Sequence, residues 1–268
     1  MGGVASVPTD RTRKIQVIGA GYSRTGTVSM SLALEKLLDG PVMHGGTQIF
    51  GREDAYLRLW HQVFKAKEAG DKPRMLKLLR EATAGFVAIT DVPGNTLIRE
   101  LQELYPDAKV IVVNRDKERW WASIRMIVNQ VTPWWLRYLL APCPGWRWLA
   151  TILDDIGKAA KEQMGSDSKP LSIVVSFTDT LEQHNNWVKK NTPPDKFHAI
   201  ELKDGWGPLC RILDKPIPNE PFPRANDADA VNELSKKIFM RALMTWAGIL
   251  AGTSVLGYGS WWAWKTLS

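Results

Sequence analysis

Three short apolar runs, each followed by a stretch of helical periodicity, constrain this chain more than any other feature. Residues 14–19 (KIQVIG), 86–90 (FVAIT) and 109–114 (KVIVVN) are of strand length and rich in β-branched side chains. They are apolar along most of their length, as strands covered on both faces are, and their alternation with helices implies a parallel sheet. Shorter strands are expected at 41–44 and 198–202. Helices are expected over 25–38, 54–68, 73–83, 95–105, 117–129, 152–163, 171–190 and 206–213. In the first of these Met30, Leu34, Leu37 and Leu38 fall at i, i+4, i+7 and i+8, one buried stripe. The fold class is α/β: a parallel sheet with helices on both faces, plus a C-terminal hydrophobic helix.

That last helix comes from residues 242–264, a run without a charge, preceded by Lys236, Lys237 and Arg241 and followed by Lys265. A hydrocarbon core needs about 20 apolar residues in helix. Trp261, Trp262 and Trp264 suit an interfacial belt, and Gly248 with Gly252 permits close helix contact. A buried or in-plane helix is the alternative, given the glycines and the polar Thr253 and Ser254. Trp distribution points the same way: of 13 Trp, all but Trp60 lie from Trp120 onward, many beside Arg or Lys. Residues 131–150 hold Trp134, Trp135, Trp146 and Trp148 with Arg137 and Arg147 among them, broken by Pro133, Pro142 and Pro144. This is expected to be an insertion over the mouth of the site, with Trp134 and Trp135 against substrate; a buried core segment is the alternative, made awkward by the prolines.

The N-terminus carries no apolar run of signal-peptide length, so secretion is not expected. Residues 1–6 (MGGVAS) match an N-myristoylation pattern. Two cysteines, Cys143 and Cys210, argue against a disulfide framework and for a reducing compartment. A net charge of +7 suits phosphate-bearing ligands or anionic lipid. With no zinc-finger spacing and no basic tract, nucleic acid is not an expected partner. The organisation is a tail at 1–13, a nucleotide-binding domain at 14–235 and a membrane-associated helix at 236–268.

The chemistry concentrates in the loop Gly19-Ala20-Gly21-Tyr22-Ser23-Arg24-Thr25-Gly26-Thr27, between the first strand and the first helix. Such a junction points backbone N–H groups and the helix dipole at an anion. A dinucleotide fingerprint fails, because Arg24 stands where the third glycine belongs and no acidic residue ends the next strand. A Walker A loop has Gly21 and Gly26 in place, but Thr27 and Val28 stand where Lys and Ser/Thr are needed. A phosphosulfate loop, with a basic residue, a hydroxyl, glycine and a hydroxyl in sequence, fits Arg24-Thr25-Gly26-Thr27.

On these residues the sequence resembles the sulfotransferase superfamily, P-loop-like in fold, and specifically its Arg-Thr-Gly-Thr branch common in fungi. Cytosolic sulfotransferases carry Tyr-Pro-Lys-Ser-Gly-Thr-Thr where Tyr22-Ser23-Arg24-Thr25-Gly26-Thr27-Val28 stands here. The resemblance implies that residues 23–28, Ser23 to Val28, hold the 5′-phosphosulfate of 3′-phosphoadenosine-5′-phosphosulfate. It implies that Arg115 and Ser123, an Arg ending a strand and a Ser eight residues on, bind the 3′-phosphate; physically, Arg115 offers a planar fork for phosphate oxygens. By the same analogy Arg224 closes over that phosphate. The likeness extends through Tyr105-Pro106-Asp107, Gly205-Trp206-Gly207-Pro208 and Pro221-Phe222-Pro223-Arg224. Ser29 replaces the aromatic that stacks on adenine in cytosolic members.

Thr90-Asp91-Val92-Pro93 closes the FVAIT strand, where open α/β sheets place ligands. Cytosolic members have Lys-Thr-His-Leu-Pro here, their His being the general base; Asp91 replaces that His and Ile89 the Lys. A carboxylate can take a hydroxyl proton when its surroundings make it basic enough. A Walker B aspartate and a helix-capping aspartate are the competing roles. With the Lys gone, Arg24 is left as the main cation for charge on the leaving bridge oxygen. His44 and His61 are further acceptor-site candidates.

The expected activity is transfer of a sulfuryl group to a hydroxyl of a small lipophilic metabolite, with no metal and 3′,5′-bisphosphoadenosine as product. Catalysis is assigned to Asp91 and Arg24. The enzyme is expected on a membrane, such as the endoplasmic reticulum, facing the cytosol on its C-terminal anchor and in contact with membrane lipid. Sulfation-driven elimination at the same site, or a silent nucleotide-binding membrane adaptor, are the alternatives.

Overall fold

Each strand is short and pairs in parallel with neighbours that are remote in sequence. A computed structural model describes residues 7–49, 52–165, 180–225 and 227–267. Its strands are β1 (Val17–Gly19), β2 (Val42–His44), β3 (Ala88–Thr90), β4 (Lys109–Val113) and β5 (Phe197–Ile200), in the order β2-β3-β1-β4-β5. The helices are α1 (Thr27–Leu38), α2 (Gly45–Gln48), α3 (Asp54–Glu68), α4 (Lys72–Ala82), α5 (Ile98–Leu104), α6 (Lys117–Val131) and α7 (Leu136–Leu140). Then come α8 (Leu149–Met164), α9 (Thr180–Lys190), α10 (Trp206–Leu213) and α11 (Asp227–Leu267).

The chain leaves the central strand β1 toward β2 and β3 on one side, then crosses to β4 and β5 on the other. The order reverses at the carboxyl end of β1, which opens a crevice there. The pleat sends alternate side chains to opposite faces. Val17, Val42, Ala88, Ile111 and Val113 join a core with Met30 and Leu34 of α1 and Leu209 of α10. Ile18, Met43, Ile89, Val110 and Val112 join a second, with residues of α3, α4, α5 and α8. This is why the strands read as unbroken apolar runs: both faces are covered.

Helix starts follow local chemistry. Asp71 accepts from Arg74 N at 3.1 Å with Pro73 in the first turn, and Asp116 accepts from Arg119 N at 2.9 Å. Residues 7–13, expected as a tail, run along the domain, where Arg13 donates to Leu38 O at 2.7 Å and to Asp39 O. Its guanidinium thereby satisfies carbonyls left open at the end of α1.

Several expectations are corrected in detail. The helix expected at 25–38 begins at Thr27, because Gly26 has φ 97°. The helix expected at 95–105 is a 3₁₀ turn at Gly94–Thr96 followed by α5, separated where Leu97 leaves helical geometry at φ −126°. Segment 131–150 contains α7 and a 3₁₀ turn at Trp146–Trp148, and it is partly core: Leu140, Cys143 and Leu149 pack with Ala242 of α11. The C-terminal helix starts at Asp227, so position 236 falls inside a continuous helix. The acylation motif at 1–6 and most of the first half of the helix expected at 171–190 lie outside the described residues.

Leu34 is fully buried between α1 and the sheet. Leu34→Ala is expected to lower unfolding free energy by about 2–5 kcal/mol in urea denaturation.

Candidate functional site

The loop from Ala20 to Gly26 is held from several directions. Trp120 of α6 donates through Nε1 to Ser23 O at 2.9 Å, and His184 of α9 donates through Nε2 to Ala20 O at 2.6 Å. Tyr22 stacks on His184 at 4.0 Å between centroids and on Trp120 at 5.9 Å. Thr25 Oγ1 donates to Tyr22 O at 2.8 Å. Arg24 and Gly26 both take positive φ, 70° and 97°. At Gly26 a Cβ would lie 2.2 Å from Leu202 Cδ1, the movable end of that side chain, so it is the conformation that requires glycine. Burial raises the Tyr22 phenol above its ordinary range and lowers His184 from 6.5 to about 4, so His184 is a neutral donor near pH 7.

On one side of this loop the phosphate-binding candidates converge. Arg24 Nε donates to Ser123 Oγ at 3.0 Å, and the Arg115 guanidinium donates to Arg24 O. Arg115 leaves the end of β4 and Ser123 lies on α6, so sheet and helix together bring two guanidiniums and a hydroxyl into one patch. Arg224 is exposed; its neighbour Ala225 donates through N to Ser29 Oγ at 3.1 Å, fastening the 221–225 segment to α1.

On the other side stands Asp91. The register aligns His44, Thr90 and Gly19 across β2, β3 and β1, so the residues that follow these strand ends meet. Asp91, at φ 68°, is buried. Its Oδ1 accepts from Ser23 Oγ and from Val92 N at 2.7 Å; its Oδ2 accepts from Thr27 Oγ1 at 3.2 Å and faces His44 Nε2 at 3.2 Å. His44 Nε2 is also 3.1 Å from Thr27 Oγ1. The close approach depends on Gly45, where a Cβ would lie 1.7 Å from Val92 O.

Asp91, His44, Ser23, Arg24, Thr27 and Val28 all line a cavity of about 1060 Å³ whose remaining wall is largely apolar. Trp135 lines it; Trp134 does not, being 76% exposed with its ring against Tyr138. His61 is elsewhere, paired through Nδ1 with Asp155 at 2.6 Å, where burial pushes the Asp155 carboxyl up. Ile89 is fully buried against the position of Gly94, so it contributes packing and no charge.

Sequence reasoning missed Trp120 and His184 as supports, the His44–Asp91 pair, and Asn95. Asn95 is buried in the cavity wall, with Nδ2 3.4 Å from Gly21 O and Oδ1 without a partner. The Gly94-Asn95 pair directly after Pro93 was a usable signal for a tight turn there. Nothing local to His184 pointed to a loop 164 positions away.

The sequence matches the sulfotransferase domain family over residues 16–231. The chain belongs to the sulfotransferase family. The family match takes in all five strands, the loop, Asp91, Arg115, Ser123 and Arg224, and it ends early in α11. The chain is also similar to a curated protein named Ava biosynthesis cluster protein M, from Aspergillus versicolor. They are 27% identical over 218 residues, covering 80% of this chain and 82% of that one.

His184 supplies a pH test of the loop support. Its folded value lies below its unfolded one, so between them the unfolded chain binds a proton the native sulfotransferase domain does not. Stability is expected to fall by up to about 3 kcal/mol as pH drops from about 6.5 to about 4, then to flatten. His184→Gln should remove that slope in denaturation measured across the range.

Proposed function

We propose that this sulfotransferase takes a sulfuryl group from 3′-phosphoadenosine-5′-phosphosulfate and places it on a hydroxyl of a small apolar metabolite. The observation that carries the proposal is that one loop is shared by two chemistries. Arg24, Arg115 and Ser123 converge on one side, and Asp91 stands on the other at an apolar cavity. The residues fit the donor: the planar guanidinium of Arg115 with the Ser123 hydroxyl suits a terminal phosphate, Arg24 beside them suits the phosphosulfate, and Gly26 lets the loop take the left-handed turn that leads into α1. The donor supplies a sulfur already bonded to a good leaving group, whose bridge bond breaks as the acceptor oxygen bonds to sulfur, the electron pair leaving with 3′,5′-bisphosphoadenosine.

Asp91 takes the hydroxyl proton. Ser23, Thr27, His44 and Val92 N fix the direction of its carboxylate, so the base is oriented before the acceptor arrives. Arg24 and the loop N–H groups lower the cost of charge on the bridge oxygen, and Arg115 with Ser123 select the 3′-phosphate. A metabolite acceptor is supported by the apolar cavity and by the similar protein, which is named for a biosynthesis cluster. Anchoring by α11 is supported by the helix itself, and a domain in the cytosol by the free cysteines Cys143 and Cys210. Over Glu233–Leu267 it is long and apolar enough to cross a membrane, and little of it is buried.

Calorimetry should show 3′,5′-bisphosphoadenosine binding more tightly than 5′-AMP, with Arg115→Ala costing roughly 1.5–3 kcal/mol for the first nucleotide only. Equal affinities for the two would overturn the donor assignment. Asp91→Asn should keep nucleotide binding while sulfonate transfer, followed by mass spectrometry, drops roughly 10²–10⁴-fold. Near-normal turnover would move the base role to another residue.

A further inference from the structure

We propose that the acceptor enters the cavity from the bilayer, through a mouth between α7 and the first turns of α11. The proposal rests on the cavity being the acceptor site and on α11 being the anchor. The anchoring helix is not an appendage to the cavity but part of its wall. Leu234, Ile238 and Phe239 of α11 line it opposite Leu136, Leu139 and Leu140 of α7. Ala242, the first residue of the uncharged run, is fully buried in the small core with Leu140, Cys143 and Leu149. One turn on, Trp246 Nε1 donates to Leu139 O at 3.0 Å, which locks α11 to α7.

These contacts fix the depth of the mouth. At 1.5 Å rise per residue, Phe239 precedes the uncharged run by only about 5 Å along the helix. Beyond Trp246 the helix exposes Leu250, Val255 and Leu256 to whatever surrounds it. Next to Leu139, which Trp246 holds, α7 and its approach expose Trp134 at 76% and Tyr138 at 63%, aromatic side chains of the kind enriched between headgroups and hydrocarbon. Lys236 is paired with Glu233 at 3.1 Å, which leaves Lys237 at the cavity lining to add charge suited to anionic headgroups. An apolar cavity whose rim is set at headgroup depth takes solutes dissolved in lipid without passing them through water. The class of acceptor is therefore a lipophilic alcohol that partitions into membranes, with its hydroxyl leading toward Asp91.

The test uses the full-length protein in phosphatidylcholine vesicles containing a diazirine-bearing long-chain primary alcohol, with 3′,5′-bisphosphoadenosine present. After illumination, adducts are mapped by peptide mass spectrometry. Labelling is expected on the inner wall at 153–160, at 134–140 and 233–239, and along 247–264. Leu234→Asp, which charges the mouth, and Leu234→Trp, which narrows it, should each cut labelling of the inner wall at 153–160 by about tenfold while leaving the outward-facing Trp134 and Tyr138 and residues 247–264 labelled. Adducts absent from the inner wall at 153–160, or 247–264 left unlabelled because a second copy covers α11, would overturn the lipid entrance. Labelling needs no turnover, so loss of nucleotide binding with the same adducts would defeat the sulfuryl-transfer proposal and leave the entrance standing.

Discussion

Parallel hydrogen bonding of β1 to β3 and of β3 to β2 ranks Gly19, Thr90 and His44 side by side. The chain must leave all three strands at one level, and the loop carrying Ser23, the turn carrying Asp91 and the histidine itself meet there. None of these groups is placed by its own neighbours in sequence. The sheet converts three separate strand ends into one constellation, and the positive φ of Arg24, Gly26 and Asp91 is the local distortion that aims it.

The same loop divides two environments. Toward α6 it presents guanidiniums and a hydroxyl in a partly exposed patch suited to a polyanion; toward α7 and α11 it presents a carboxylate at an apolar cavity. Arg24 stands where the two meet: its Nε reaches Ser123, and it also lines the cavity beside Ser23.

Much of this was legible in the sequence, for reasons of period and composition. The β-branched runs gave the strands because both faces are buried, and the stripe Met30, Leu34, Leu37, Leu38 gave α1 its inward face. The resemblance paired Arg115 with Ser123 and placed Arg24 in the loop, and the structure brings Arg24 within hydrogen-bond reach of both. What spacing does not encode is lateral order in the sheet, so the His44–Asp91 pair was invisible: it requires β2 to lie beside β3. Trp134 and Trp135 are adjacent in sequence and chemically identical, yet only Trp135 faces the cavity, since residues one apart around α7's approach point in different directions. Segment 131–150 looked irregular because its prolines bracket α7, and its packing against Ala242 depends on a helix a hundred residues later.

The bond from His184 to Ala20 O has a consequence for the order of events in folding. It joins positions 164 apart, and Leu202 closes on Gly26 from a comparable distance. Contacts of such long range form only after much of the chain has collapsed, because loop closure precedes their reward. The loop that would hold the nucleotide is therefore finished late, when both halves of the sheet are already docked. A partly folded chain lacks this loop, so under the proposed function nucleotide would bind the completed domain alone and would draw the folding equilibrium toward completion by mass action.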